Sequence, residues 1–368
     1  NTPIQDSIVT NDERIVRCLP TIKHIVENKG KLTILSHLGR PKENGVFQSE
    51  FSLKPVAHRL EELLGQEVDL VADIENCKSP DSGKITMLEN VRFLEGEKAN
   101  DSVLSKAFAN MCDIFVMDAF ATSHRAHAST TGVISYANQA CAGMLLEEEV
   151  NALSKINRNE RRPSVAVLGG SKISTKLKLI NSLSDKMDFV ILGGGIANTC
   201  LAAKGVNVGS SLLEEDMLEE ALELANKDNV ILPNKVVVSD SIKGKAKIID
   251  VESVRSDEAI FDIAPESFLS IESIFIQAKT IFWNGPVGLF EEPQFREGTA
   301  SVARMIVASE AYSVGGGGDT IAAAKEIGLL EAMDYMSTAG GAFLEYIEGR
   351  SLPALEALKA KALESANN

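Results

Sequence analysis

Four times in its second half the chain repeats one short plan: an apolar run of strand length, a cluster of glycines, then a helix-like segment. Val165–Gly170 (VAVLGG), Phe189–Gly195 (FVILGGG), Ala311–Gly318 (AYSVGGGG) and Tyr335–Gly341 (YMSTAGG) all follow it. Short apolar runs bounded by turn signals read as buried strands. Strands alternating with helices predict a parallel sheet, because parallel neighbours need a crossover between them. Parallel strands end on one edge, so the four glycine turns are expected along one side. A single turn of this kind is a tight connection; four on one edge suit a crevice for a nucleotide.

The first half carries a second recurrence. Strands are expected at Lys31–Ser36, Val68–Val71, Ile85–Leu88 and Asp113–Phe120, with helices at Phe51–Leu64 and over 101–110. Basic residues follow three of the strand ends: His37 and Arg40 in SHLGRP, Arg92 in ENVRF, and His124, Arg125 and His127 in ATSHRAHAS. Ile15, Leu19, Ile22 and Ile25–Val26 recur at helical spacing behind a cap at Asn11 or Asp12, which puts Arg14 in that helix's first turn. The chain has a net charge of -15. That balance argues against general nucleic-acid or anionic-membrane binding. Three arginines at strand exits of so acidic a chain point to a local basic pocket for a carboxylate or phosphate.

Lys172 and Lys176 follow the first glycine turn of the second half. On a helix they would share one face, and a cation at a helix start is unfavourable by roughly 0.3–1 kcal/mol. An anion reverses the sign, so the pair is read as part of an anion site. Neither G-x-x-x-x-G-K-[ST] nor G-x-G-x-x-G occurs. Asp319 and Thr320 open the helix after the third turn; both are good caps, and Asp319 could also serve a magnesium ion carried on phosphates.

Leu145–Ile156 is expected to be helical, and the domain boundary is placed along it, because no flexible Gly/Ser linker exists. A connecting helix suits a hinge. The stretch 241–262 is polar and gives little signal, and Ser351–Asn368 reads as a final helix. The five cysteines are scattered and never form C-x-x-C, which implies a reducing compartment without disulfides or zinc. No apolar run approaches membrane-spanning length.

Taken together, SHLGRP, LENVRF, DAFATSHRAHAS, VLGGSKISTK, LGGGIANT, WNGPVGLFE, GGGGDT and STAGGAFLE resemble the motifs of the phosphoglycerate kinases, in the family's order and over essentially the whole chain. The resemblance implies an α/β fold of two Rossmann-like three-layer domains with mainly parallel sheets, joined by a connecting helix and a hinge. It implies a phosphoglycerate-binding domain over 1–147, a nucleotide-binding domain over 148–349, and a helix over 350–368 returning to the first. The implied activity is reversible phosphoryl transfer from 1,3-bisphosphoglycerate to Mg-ADP, in a cytoplasmic monomer with small-molecule substrates, no nucleic acid and no membrane. By motif, Asn1, Arg14, His37, Arg40, Arg92 and Arg125 would hold the phosphoglycerate. Lys172 and Lys176 would lie against the nucleotide phosphates and, with Arg14, serve the group in flight. Gly193, Gly194 and Gly195 would border the adenine. Asn284 and Glu291 would contact the nucleotide, Gly317, Gly318 and Thr320 its phosphates, and Asp319 its magnesium.

Three departures accompany the resemblance. The family's first core strand and the aspartate of its D-x-N-x-P motif are absent, so uncovered strand edges are expected and further residues are expected upstream of Asn1. Ala121 and Ala339 stand where the family has glycine, which is tolerable only if the backbone avoids positive φ there. The rival readings are a dinucleotide-dependent dehydrogenase, disfavoured by the missing G-x-G-x-x-G, and a nucleotide-binding relative without transfer activity.

Overall fold

A computed structural model describes residues 2–74, 77 and 83–367. The chain divides into two units, Asn1–Val150 with Ser351–Asn368, and Asn151–Arg350.

The first unit opens with a short hairpin, β1 (Ile4–Gln5) and β2 (Ile8–Val9), before helix α1 (Glu13–Glu27). Strands β3 (Leu32–Ile34), β4 (Val68–Val71) and β5 (Ile85–Leu88) form a parallel sheet in the order β3-β5-β4. Helix α2 (Lys54–Leu64) carries Pro55 in its first turn, where the missing N–H costs nothing. It ends on Gly65 at φ 68°, the left-handed C-terminal cap that glycine adopts most readily. Ile15 and Ile22 of α1 and Val56 and Leu60 of α2 bury against Val68, Ile85 and Met87 of the sheet; each such side chain is worth about 1.5–3 kcal/mol. Helix α3 (Ser102–Ala109) is capped by Asp101, which accepts from the amides of Val103 and Leu104.

Strands β6 (Ile114–Met117) and β7 (Gln139–Ala142) pair in parallel as a separate sheet. Among the described residues no strand joins it to β3-β5-β4. Edges are correspondingly uncovered: β3 is only half-buried and Ile114 is 51% exposed. Helix α4 (Val133–Tyr136) lies between the two strands in sequence, and helix α14 (Pro353–Asn367) packs on α4 and β7. Helix α5 (Met144–Arg158) runs through the point at which the chain passes from one unit to the other.

The second unit is built on six parallel strands: β8 (Ser164–Leu168), β9 (Phe189–Leu192), β10 (Val230–Ile231), β14 (Thr280–Asn284), β15 (Tyr312–Gly316) and β16 (Tyr335–Ser337). Their order is β10-β9-β8-β14-β15-β16. The chain therefore moves outward from β8 in one direction and from β14 in the other, so the topological reversal lies between these two. Ligands bind open α/β sheets beyond the strand ends at such a reversal.

Helices cover both faces. Val165, Val167, Ile281 and Trp283 pack with Val302 and Ile306 of α11 (Glu297–Ala308) and Ala324 of α12 (Gly318–Ile327). Phe282 points to the opposite face, as strand alternation requires, and stacks on Phe343 of α13 (Gly341–Ile347) at 5.5 Å. Helices α6 (Leu177–Lys186), α7 (Gly194–Ala203) and α8 (Leu218–Ala225) complete the first crossovers, and α9 (Pro265–Leu269) and α10 (Glu272–Gln277) precede β14.

One part of this unit departs from the parallel plan. Strands β11 (Lys235–Ser239), β12 (Lys247–Asp250) and β13 (Ala259–Ile263) form an antiparallel sheet in the order β12-β11-β13. Two of its strands lie in the polar stretch 241–262, where no strand was expected. β12 is largely exposed, and its Ile249 packs from the edge onto a small core around Val236 and Val238, while β13 is mostly buried but has Asp262, 1% exposed, interrupting its apolar run.

Candidate active site

In the first unit, the exits of β3, β5 and β6 carry the basic residues. Arg92 sits in a single 3-10 turn, Val91–Phe93, directly after β5 and is 5% exposed. Asn90 caps that turn by accepting from the Arg92 amide, and its own amide group donates to the carbonyls of Leu38 and Phe51. The guanidinium Nη1 donates to the carbonyl of Gly39 at 2.6 Å, while Nε is buried with no partner. A buried cationic donor without an acceptor is costly, and an anion would satisfy it.

The neighbouring charges are felt mutually. Burial, then the charge of Arg125, lowers the Arg92 pKa, with Arg40 adding to the repulsion and Glu97 and Glu43 opposing it. Burial holds His37 neutral, pushed down to about 2, with Arg92, Arg125 and His127 acting in the same sense. Arg40 and Arg125 are exposed, and Nε of Arg125 bonds His124 at 3.1 Å. His37, Arg40, Arg92 and Arg125 are thus one electrostatic cluster. Arg14 lies elsewhere in the sequence order of this unit, exposed in the first turn of α1. Asn1 lies outside the described residues.

A carboxylate that the motif reading passed over supports this cluster. Glu97, 1% exposed, accepts from the amide and hydroxyl of Ser129 at 2.9 and 2.5 Å and stands 3.7 Å from Nδ1 of His127. Its main-chain oxygen also takes the Ala128 amide. It ties down the turn that follows Arg125, across a sequence separation that no local pattern signals.

In the second unit, the loop after β8 is not the helix start that was expected. Residues 171–176 form turns, and α6 begins only at Leu177, so Lys172 and Lys176 do not share a helix face. Ile173 is fully buried and pins the loop inward, an anchor that outweighs the helical spacing of the lysines. Lys172 is exposed. Lys176 is the N-terminal cap residue of α6, and its ammonium donates to the carbonyls of Gly169 at 2.6 Å and Asn284 at 3.2 Å, bridging the exits of β8 and β14. Burial pushes its pKa down to about 8, against the attraction of Asp319.

The exits of β14 and β15 are cross-tied. Asn284, 3% exposed, donates to the Gly316 carbonyl at 2.7 Å and keeps Oδ1 buried without a partner. The Thr320 hydroxyl donates to Gly316 and accepts from the Gly285 amide, both at 2.8 Å, so its side chain is already committed. Gly317 holds φ 98°, a conformation side chains other than glycine rarely adopt, and opens α12. Asp319 is exposed on the first turn of α12, and Gly318 faces open space. Glu291 is exposed in the turn beyond β14.

The 193–195 glycines pack closely against the neighbouring loops. The amides of Gly193, Gly194 and Ile196 donate to the carbonyls of Leu168, Val287 and Gly170. A Cβ at Gly195 would collide with the Ser171 carbonyl oxygen. This strip brings α7 against the lysine loop, and two of its three glycine amides are spent in doing so.

Neither Ala121 nor Ala339 is among the described residues with positive φ, so the condition for alanine at these positions is met. No helix among the described residues is long and apolar enough to cross a membrane.

A family model described as phosphoglycerate kinase matches residues 1–350. A phosphoglycerate kinase of Coxiella burnetii (strain RSA 493 / Nine Mile phase I) is 49% identical over 371 residues, covering 99% of this chain and 95% of that protein. One from Vibrio campbellii (strain ATCC BAA-1116) is 48% identical, covering 98% and 94%. Among solved structures, the phosphoglycerate kinase of Coxiella burnetii superposes with a TM-score of 0.94 at 48% identity, covering 98% of this chain and 94% of that one. The enzyme of Pyrococcus horikoshii OT3 superposes at 0.82 and 30% identity, with the same coverage. With glycine turns and basic strand exits of this kind, and with relatives so similar over nearly its whole length, the chain belongs to the phosphoglycerate kinase family.

Proposed function

We propose that the first unit holds the phosphoglycerate and the second the nucleotide in the family's reaction: reversible transfer of a phosphoryl group from 1,3-bisphosphoglycerate to ADP, giving 3-phosphoglycerate and ATP. The observation that carries this is the unpartnered Nε of Arg92, buried inside a basic cluster of a protein with net charge -15. Arg40, Arg92 and Arg125 bind the carboxylate and phosphate, and neutral His37 offers them a hydrogen bond without adding charge. Arg14 and Asn1 complete that binding.

Phosphoryl transfer asks little covalent chemistry of the protein; positioning and charge stabilisation suffice. When ADP attacks, its own phosphate oxygen is the nucleophile, so no general base is required. Lys172, exposed on its loop, offsets the charge spread over the oxygens of the migrating phosphoryl, and Arg14 adds to it. Lys176 neutralises the nucleotide phosphates at the reversal between β8 and β14. The helix start at Gly317, Gly318 and Thr320 offers amides to the same phosphates. Asn284 accepts from or donates to the nucleotide, Glu291 takes its ribose, and the 193–195 strip walls the adenine by shape.

Magnesium fits this site as a passenger. Among the described residues no group of three His, Cys, Asp or Glu could hold a metal ion. Asp319 is a lone exposed carboxylate, which suits an ion already ligated by phosphate oxygens. When bound, the ion neutralises phosphate charge. We place the protein in the cytoplasm as a monomer, in keeping with its five free cysteines.

A coupled assay with ATP, magnesium and 3-phosphoglycerate tests the reading. Turnover is the expected result. ADP binding without turnover would leave a nucleotide-binding relative instead, and a thermal shift with NAD but none with ADP would overturn the assignment.

A further inference from the structure

The loop that carries Lys172 is held from outside by one acidic side chain on a distant segment. Glu214 stands directly before the 3-10 turn Glu215–Met217, 40 residues beyond Ser174. Its carboxylate accepts from the Ser174 amide at 2.9 Å and the Ser174 hydroxyl at 2.6 Å. Its own amide donates to the Thr199 hydroxyl, which in turn donates to the Gly195 carbonyl. One residue thereby links the lysine loop to the body of α7.

The placement is selective. Residues 171–176 precede the helix, and the Ser174 amide would otherwise need water. Ile173 fixes the loop from the buried side. Glu214 fixes it from the solvent side, at Ser174, two residues after Lys172. Thr175 closes the turn by donating to the Lys172 carbonyl at 2.8 Å. Burial raises the Glu214 pKa, but Ser174 and the charge of Lys172 outweigh it and hold the carboxyl below its ordinary range. The group is therefore ionised at neutral pH and keeps its grip on the amide and hydroxyl of Ser174.

We propose that Glu214 is a positioning residue for phosphoryl transfer: by clamping the amide and hydroxyl of Ser174 it fixes the main chain from which Lys172 reaches the migrating phosphoryl. This rests on the role proposed above for Lys172. Glu214 touches neither substrate nor the reacting atoms, and its effect passes through the lysine.

The test is steady-state kinetics of the full chain, reading kcat and KM for ATP separately, with Glu214→Ala, Glu214→Gln, Lys172→Ala and the Lys172→Ala/Glu214→Ala double variant. Glu214→Ala is expected to lower kcat about tenfold while KM for ATP changes less than about threefold. Glu214→Gln retains one acceptor oxygen and should recover part of that loss. In the double variant Glu214→Ala should cost nothing beyond Lys172→Ala, because the residue it positions is gone. Thermal unfolding of each variant shows whether the fold is intact. Unchanged kcat in Glu214→Ala, beside an impaired Lys172→Ala, overturns the positioning role and leaves the lysine's role standing. A near-normal Lys172→Ala removes the lysine reading itself. Additive losses in the double variant show that Glu214 acts by another route and overturn the proposal.

Discussion

The ammonium of Lys176 donates to the main-chain carbonyl of Gly169 at 2.6 Å, so the charge at this strand exit is held by uncharged oxygens. Burial leaves its pKa at about 8, below the ordinary 10.5. The unfolded chain keeps that proton to higher pH, so the free protein gains stability as pH rises from about 8 towards 10.5. A phosphate favours the charged form and raises the pKa again. ADP binding near pH 8 is therefore expected to take up a proton, measurable by calorimetry in buffers of different ionisation enthalpy. Lys176→Met should bind without uptake, and equal uptake in both would dissociate the lysine from the phosphates.

Lys172 makes no demand on the core, being exposed on a loop whose anchor is Ile173. Lys172→Ala should lower kcat by about two to three orders of magnitude, the usual effect of losing one charge stabiliser. Its melting temperature should stay near that of the parent protein. Retained turnover would exclude the lysine from the chemistry.

Arg92 combines a planar fork with a buried position, and a lysine cannot reproduce both its Gly39 bond and its second donor. Arg92→Lys is expected to weaken 3-phosphoglycerate binding about tenfold or more, with the affinity for ATP unchanged. Titration of each substrate separately would check this. A loss confined to ATP would reverse the division of labour between the units.

Ala339 is 6% exposed and its φ is not positive, so a glycine there relieves no strain. Ala339→Gly should lower stability by about 0.4–1 kcal/mol through the greater freedom of the unfolded chain. Denaturant unfolding measures it. A gain in stability would mean that the family's glycine serves the backbone at this position.

Much of the fold could be read from local pattern. Val165–Leu168 is apolar throughout and is buried throughout, and the glycine turns sit where strand meets helix. The arginines after β3, β5 and β6 were visible because their strands were. Longer-range dependences were hidden. The spacing of Lys172 and Lys176 suggested a helix face, yet Ile173 between them is the residue that decides the loop. Glu97 and Glu214 gave no signal, since each acts on amides 32 or 40 residues away. Strand β12 was missed because most of it faces solvent, leaving too little apolar alternation to register.

The ties among Gly169, Asn284, Gly285, Gly316 and Thr320 have a thermodynamic corollary. Three neighbouring loops are fastened by contacts made wholly within the protein, so their arrangement is settled when the chain folds. On the proposed assignment, a triphosphate would meet a rigid seat and lose little affinity to ordering it. The Gly285 amide, locked onto a buried hydroxyl, should exchange its hydrogen only when this whole sheet opens.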